Sequence, residues 1–150
     1  MTVLVRPVVR SDASRWLAMR RELWPQGSAG EHEEEIEAFF AGRRREPLAV
    51  LIAEDSGGQP LGFAELSIRP HAEGCRTDRV GYLEGWFVAR QARRRGVGRA
   101  LVEAAERWAS GQGCTELASD SQPDDVRSRA AHLAAGFADV GLVRCYRKDL

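Results

Sequence analysis

The stretch Phe87-Val88-Ala89-Arg90-Gln91-Ala92-Arg93-Arg94-Arg95-Gly96-Val97-Gly98-Arg99-Ala100-Leu101 holds the residue types that bind a polyanion. A strand runs into a basic, glycine-containing turn, and the turn runs into a helix. A helix start presents unpaired backbone N–H groups and a partial positive charge. Gly96 and Gly98 let the backbone come close to a ligand. Arg93, Arg94, Arg95 and Arg99 add charge around the turn. Together these suit a pyrophosphate. A Walker loop needs Gly-Lys-Ser/Thr, which is missing, and a dinucleotide fingerprint needs a third glycine where Leu101 stands. A basic surface turn capping an amphipathic helix is the plainer reading of the same residues.

The elements that must position this turn follow from periodicity. Val80 to Val88 reads as a strand, with Tyr82, Glu84 and Trp86 on one face and Leu83, Gly85 and Phe87 on the other. Gly98 to Gln112 reads as a helix, with Val97, Leu101, Ala105 and Trp108 along one stripe. Upstream, Val3 to Val9 is a strand. Ser11 or Asp12 can cap a helix through Trp16, Leu17, Met19 and Leu23 that stops before Pro25. Gln26 to Gly30 reads as a mobile loop, and a helix follows through Glu34, Ile36, Phe39 and Phe40. Leu48 to Ala53 is a buried strand, and Leu61 to Arg69 is the returning strand of a hairpin. After the polar loop Pro70 to Arg79 and the elements above come a short strand, Glu116 to Ser119, and a helix, Asp125 to Ala135, closed by Gly136. A last strand spans Val143 to Arg147. Strands at both ends with helices between them predict a mixed α/β sandwich.

Composition bounds the partners. With 150 residues and 43% hydrophobic content the chain suits a single domain over 1–150. The 22 basic and 22 acidic residues balance, which argues against a nucleic-acid partner. No apolar stretch reaches the length of a membrane span, and Met1 to Arg10 lacks a leader's apolar block. Cys75, Cys114 and Cys145 are widely spaced, and His32, His71 and His132 are scattered. That spacing predicts reduced thiols, a cytoplasmic setting and no metal site. The acidic run Glu31, Glu33, Glu34, Glu35 and Glu37 is a solvated helix face, or a lure for cations.

Arg93 to Gly98, an Arg-x-x-Gly-x-Gly pattern, resembles the pyrophosphate loop of the GNAT acetyltransferases. Ala131-His132-Leu133-Ala134-Ala135-Gly136-Phe137 resembles the later helix of that superfamily, which commonly ends in Gly-Phe. His132 stands where many members carry a tyrosine near the thioester sulfur. A helix residue packed near the core is its other reading.

Within that superfamily the chain resembles the aminoglycoside 6'-N-acetyltransferases. The similarity is carried by Leu23-Trp24-Pro25, Ser67-Ile68-Arg69, Gly74-Cys75, Leu83-Glu84-Gly85 with Phe87-Val88, Arg107-Trp108, Gly113-Cys114, Ala118-Ser119-Asp120 and Tyr146-Arg147-Lys148. The resemblance implies a GNAT-type mixed, mostly antiparallel sheet flanked by helices and splayed between the fourth and fifth strands. It implies acetyl-CoA in the cleft and a homodimer. Trp24 then matches an aromatic that packs on the antibiotic, and Glu84 and Asp120 match carboxylates that hold its ammonium groups. Trp86, Phe87 and Val88 match the strand whose backbone pairs with the pantetheine arm, and Arg93 to Arg99, Val97 included, match the diphosphate turn. Tyr146 matches the proton donor to the departing thiolate. Three positions depart from the pattern. The loop Pro70-His71-Ala72-Glu73 is one residue shorter and has no tyrosine, which leaves His71 as its candidate substrate contact. Asp125 replaces an asparagine near the cofactor, and Gly141 replaces an acid for the drug.

The implied reaction is attack of a substrate amine on the thioester, giving antibiotic resistance. Glu84 or Asp120 would take the amine proton, directly or through water. A backbone N–H near Phe87 or Val88 would hold the oxyanion. A polycation needs carboxylates and an aromatic wall, and Tyr82 and Trp86 flank Glu84. Glu84 in mid-strand is costly to bury without a partner, so it faces either a ligand cation or an arginine such as Arg69. Asp120 could instead cap the turn before Pro123. Trp24 could be a core residue, and Tyr146 a sheet tyrosine. Another amine (a polyamine, a metabolite or a protein N-terminus) is the alternative substrate, and a non-catalytic acetyl-CoA or drug binder is the alternative class.

Overall fold

A computed structural model describes residues 2–28, 30–44 and 46–150. The middle of the sheet is the least polar part of the chain. Val50, Leu51, Ile52 and Ala53 are consecutive and all buried, as a strand covered on both faces requires. They belong to β2, Ala49–Glu54, which pairs antiparallel with β1, Leu4–Pro7, and with β3, Pro60–Arg69. β4, Val80–Val88, pairs antiparallel with β3, and β5, Leu117–Ser119, adds in parallel at the far edge of β4. The order is β1-β2-β3-β4-β5. This is the expected mixed, mostly antiparallel sheet.

Helices cover both faces. α1, Ala13–Leu23, stops one residue short of Pro25, with Trp24 between, and α2 spans Glu31–Phe40. Trp16 is fully buried and meets Phe39 and Phe40 edge-on at 5.3 and 5.9 Å. α3, Val97–Gly111, buries Val97, Leu101, Val102, Ala105 and Ala109 at helical spacing. α4, Val126–Ala134, follows β5. The expected loop Gln26 to Gly30 includes Ala29, which lies outside the described residues.

Two expectations are corrected. The ladder between β3 and β4 pairs Glu65 with Gly85 and Leu66 with Leu83, so Glu84 is skipped. This bulge breaks the alternation read from the sequence. Before it, a Cβ on Gly81 would strike Ala109 of α3 at 2.8 Å, which turns Tyr82 to the opposite face. After it, a Cβ on Gly85 would strike Trp24 at 2.6 Å, while Gly98 of α3 lies against Trp86. Tyr82, Glu84, Gly85 and Phe87 therefore share the α1/α2 side, and Trp86 and Val88 face α3.

The second correction concerns the last strand. Residues 138–150 carry no regular secondary structure, so Val143 to Arg147 is not a strand here. The physical reason is pairing. β5 contributes only three residues to the sheet, and the tail has no ladder partner among the described residues.

Asp12 is buried and accepts from Arg6 at 2.7 and 2.9 Å and from the Val9 N–H at 2.8 Å. It ties β1 to the start of α1 rather than capping α1 with its side chain. The Arg6 bonds hold its carboxyl below the usual aspartate range. A depressed carboxylate adds stability above its unfolded pKa and loses it as pH falls through the lowered native value. Asp12→Asn is expected to cost about 1.5–3 kcal/mol at pH 7. In urea unfolding, its deficit against wild type should shrink as the pH falls below the ordinary aspartate range.

Candidate active site

The strand that carries the site has two kinds of edge. β4 pairs with β5 only at Gly81, Tyr82 and Leu83. From Glu84 to Val88 its β5 side has no strand partner among the described residues. The two strands splay there, and the backbone groups of that stretch open into the gap. Beyond Val88 a 3-10 turn, Arg90–Ala92, leads to Arg93, whose Nε donates to the Val88 carbonyl at 3.3 Å.

The basic turn is conformationally demanding. Gly96 sits at φ +81° as the residue before α3, and Arg94 sits at φ +63°. Arg94 is the one non-glycine residue with positive φ among those described. Nothing lies within 4 Å of the place a Gly96 Cβ would occupy, and no side chain caps the helix start. The first-turn N–H groups of α3 therefore carry no side-chain cap, and the Cβ side of Gly96 is open. Val97 is buried, so it can offer a ligand only its backbone. Trp86 projects from β4 against Gly98, with its indole Nε1 buried and unpartnered.

His132 of α4 closes this side. Its ring meets Trp86 edge-on at 5.0 Å and Phe137 at 5.3 Å. Nδ1 lies 2.7 Å from the Ser128 carbonyl, so it donates there, and Nε2 lies 2.9 Å from Ser119 Oγ. Asp125 accepts from the Ser128 N–H at 2.9 Å, which makes it the cap of α4.

The other face of β4 carries the acids. Arg69 donates to Glu84 through Nε at 2.9 Å and Nη2 at 2.5 Å. Ser67 Oγ also donates to Glu84, and the Arg69 guanidinium lies 3.6 Å from the centre of the Tyr82 ring. The Tyr82 hydroxyl donates to Asp120 at 2.5 Å. Burial first, and then the Asp120 bond, raise the Tyr82 phenol above the ordinary tyrosine range, so it stays protonated at neutral pH. Glu84, Tyr82 and Asp120 thus form one cluster, with Arg69 inside it.

Trp24 packs over Gly85, stacks on His32 and takes the Arg20 guanidinium at 5.1 Å on its ring. With Arg21, His32 and Glu33 it lines a cavity of about 250 Å³. His71 stands in solvent beside Glu73 at 3.6 Å. Tyr146 is 88% exposed in the tail, away from the cluster it was expected to join. The acidic run of α2 is largely paired: Glu33 with Arg21, Glu35 with Arg20 and Arg44, and Glu37 with Arg10.

Residues 16–137 match the model of the acetyltransferase (GNAT) family. The chain belongs to the GNAT family. Its relatives include the aminoglycoside N(6')-acetyltransferase type 1 of Klebsiella aerogenes, 58% identical over 98% of this chain and 97% of that one. The enzyme of the same name from Stenotrophomonas maltophilia is 39% identical over 97% and 93%. Among solved structures, AAC(6')-Iy with the bisubstrate analog CoA-S-monomethyl-acetylneamine superposes with a TM-score of 0.91 at 34% identity, covering all of both chains. AAC(6')-Ih from Acinetobacter baumannii gives 0.90 at 33% identity over 99% of each.

The residues of this GNAT chain fit a coenzyme A. The uncapped helix start and open Gly96 suit the diphosphate, the unpaired edge of β4 suits an amide-bearing arm, and the buried Trp86 N–H awaits an acceptor. Gly96→Ala is expected to cost about 1–2 kcal/mol, because a side chain at that φ crowds its own carbonyl. Urea unfolding reads that loss, and calorimetry with coenzyme A should show weaker binding.

A charged group beneath the site was not found by sequence reasoning. Glu65 of β3 is 3% exposed, accepts from Trp16 Nε1 at 3.0 Å and lies 3.2 Å from Arg20 Nε. Burial pushes its carboxyl up, and Arg20 and the Trp16 bond pull it back. The signal was available: a lone acid inside the apolar run of β3.

Proposed function

We propose that this protein transfers the acetyl group of acetyl-CoA to the 6'-amine of an aminoglycoside in a ternary complex, and so confers resistance. The observation that carries the reading is the division of β4. One face presents the acids Glu84 and, through Tyr82, Asp120. The other presents the Trp86 wall and the diphosphate turn, and the splay joins them. The names of the relatives, aminoglycoside N(6')-acetyltransferases at up to 58% identity, agree with this reading.

Bound acetyl-CoA supplies the acetyl group as an activated thioester. Arg93, Arg94, Arg95 and Arg99 add charge to the backbone N–H groups of Gly96 to Gly98 around its diphosphate. The backbone of Trp86, Phe87 and Val88 aligns the arm, and one N–H there is aimed at a developing oxyanion. Trp24, Tyr82 and His71 form the walls for the drug. Asp120 and Glu84 hold its ammonium groups, and one of them takes the proton of the reacting amine through water. His132 and Asp125 shape the sulfur end of the cleft. Mixing acetyl-CoA with kanamycin, with spermidine and with no amine, and following free thiol, tests the function. Release with kanamycin alone supports it; release with spermidine alone favours a polyamine substrate. That second reading draws on the short Pro70 to Glu73 loop, where His71 is in solvent.

The chain works as a single domain over 1–150, as a homodimer and in the cytoplasm. Cys75, Cys114 and Cys145 are all unpaired, which suits a reducing compartment. The tail exposes Val140, Leu142, Val143, Tyr146 and Leu150, an apolar set that a second copy would cover. Tyr146, the proton donor to the leaving thiolate, depends on that docking. Sedimentation should give a dimer, and deleting residues 138–150 should give a monomer with most turnover lost. A full-length monomer that turns over normally would overturn the dimer.

A further inference from the structure

We infer that Arg69 is a built-in cation that sets how readily the reacting amine gives up its proton. The inference rests on the proposed amine-acetylation reading. An ammonium group has no lone pair, so its proton must pass to water before nitrogen can form a bond. A bare carboxylate beside it stabilises the charged form and opposes that loss. At Glu84 the carboxylate is not bare. Arg69 engages both of its oxygens and Ser67 takes a further lone pair. The guanidinium lies over the Tyr82 ring at 3.6 Å, so it is held from two sides although 38% exposed.

Carboxylates still outnumber cations on this side, and Arg69 is the cation that offsets Glu84. β3 contributes Arg69, and deeper Glu65 with its partner Arg20 from α1. β4 contributes Glu84 and the neutral phenol of Tyr82, and Asp120 follows β5. Glu46, before β2, acts on Arg69 from a distance, and His32 of α2 lies behind Trp24. Arg69 is the one cation in direct contact with Glu84 among the described residues. It acts on the amine by its charge, across space and through Glu84, as a positioning residue. Removing it leaves an uncompensated carboxylate, which binds an ammonium more tightly and releases its proton less readily. The two effects oppose each other in turnover, which separates them from simple damage.

The test uses Arg69→Gln, Arg69→Lys and the double variant Arg69→Gln/Glu84→Gln. Wild-type thiol release with kanamycin is measured first; its failure sinks the proposed function, while the binding comparison below still judges Arg69. In calorimetry without acetyl-CoA, Arg69→Gln should bind kanamycin about tenfold more tightly at pH 7, the scale of one unscreened charge at a half-exposed site. Its kcat should fall at neutral pH and recover in alkali, with the midpoint of the pH profile raised by about one unit. Arg69→Lys should lie near wild type, and the double variant should return the midpoint towards it. Binding by Arg69→Gln no tighter than wild type, or an unmoved pH midpoint, overturns the inference. If Arg69→Gln fails to fold, the double variant, which leaves no unpaired charge, carries the midpoint comparison against Glu84→Gln: equal midpoints would then overturn it.

Discussion

Glu84→Gln is expected to lower kcat/KM for kanamycin by about 10²–10⁴-fold, the range for loss of a positioned proton acceptor. The amide keeps the shape of the side chain and can still accept from Ser67. It cannot balance Arg69, whose charge then repels the incoming ammonium. Coenzyme A should bind as before, because its proposed contacts lie on the opposite face of β4. Steady-state kinetics with calorimetry reads both quantities. A variant with unchanged kcat/KM would move the chemistry to Asp120, and one that also lost coenzyme binding would point to a collapsed strand.

Glu65→Ala should destabilise the fold by about 3–5 kcal/mol, because it strands a buried partner charge. Arg20 is 5% exposed, and two of its nitrogens already lack hydrogen-bond partners. Trp16 Nε1 would lose its acceptor as well. The floor under Trp24 would loosen with it, since the Arg20 guanidinium supports that ring. Chemical denaturation checks the stability. A loss below 1 kcal/mol would mean that Glu35 alone satisfies Arg20.

The sequence was most readable where one signal dominated. Val80 to Val88 matches β4 to the residue, because an alternating apolar strand ends at a basic turn. α3 differs from its expected span by one residue at each end, its apolar stripe being unbroken. Glu84 illustrates the limit. Its two candidate partners, a ligand cation and Arg69, were both visible, and the structure supplies Arg69. The bulge that sends Trp86 to the side opposite Tyr82 and Glu84 was not visible, because nothing in Leu83-Glu84-Gly85 distinguishes a skipped residue from a paired one. The buried Glu65–Arg20 pair needed tertiary placement: the two are far apart in sequence and meet only when α1 crosses β3. Val143 to Arg147 has strand-like composition, yet a strand needs a neighbour as well as a propensity. Residues from 138 onward have none among the described residues.

The skipped residue at 84 has a consequence for how such a catalyst diversifies. A period-2 strand normally ties every position to the phase of every other. The slip at Glu84 cuts that tie, so Tyr82 and Glu84 keep to the α1/α2 side while Trp86 and Val88 face α3. A substitution at Glu84 can then change the acid-bearing side without moving Trp86, whereas one at Gly85 would strike Trp24. Deleting Glu84 would restore the regular alternation and remove the acid, while leaving Tyr82 and Trp86 on their present sides of the sheet.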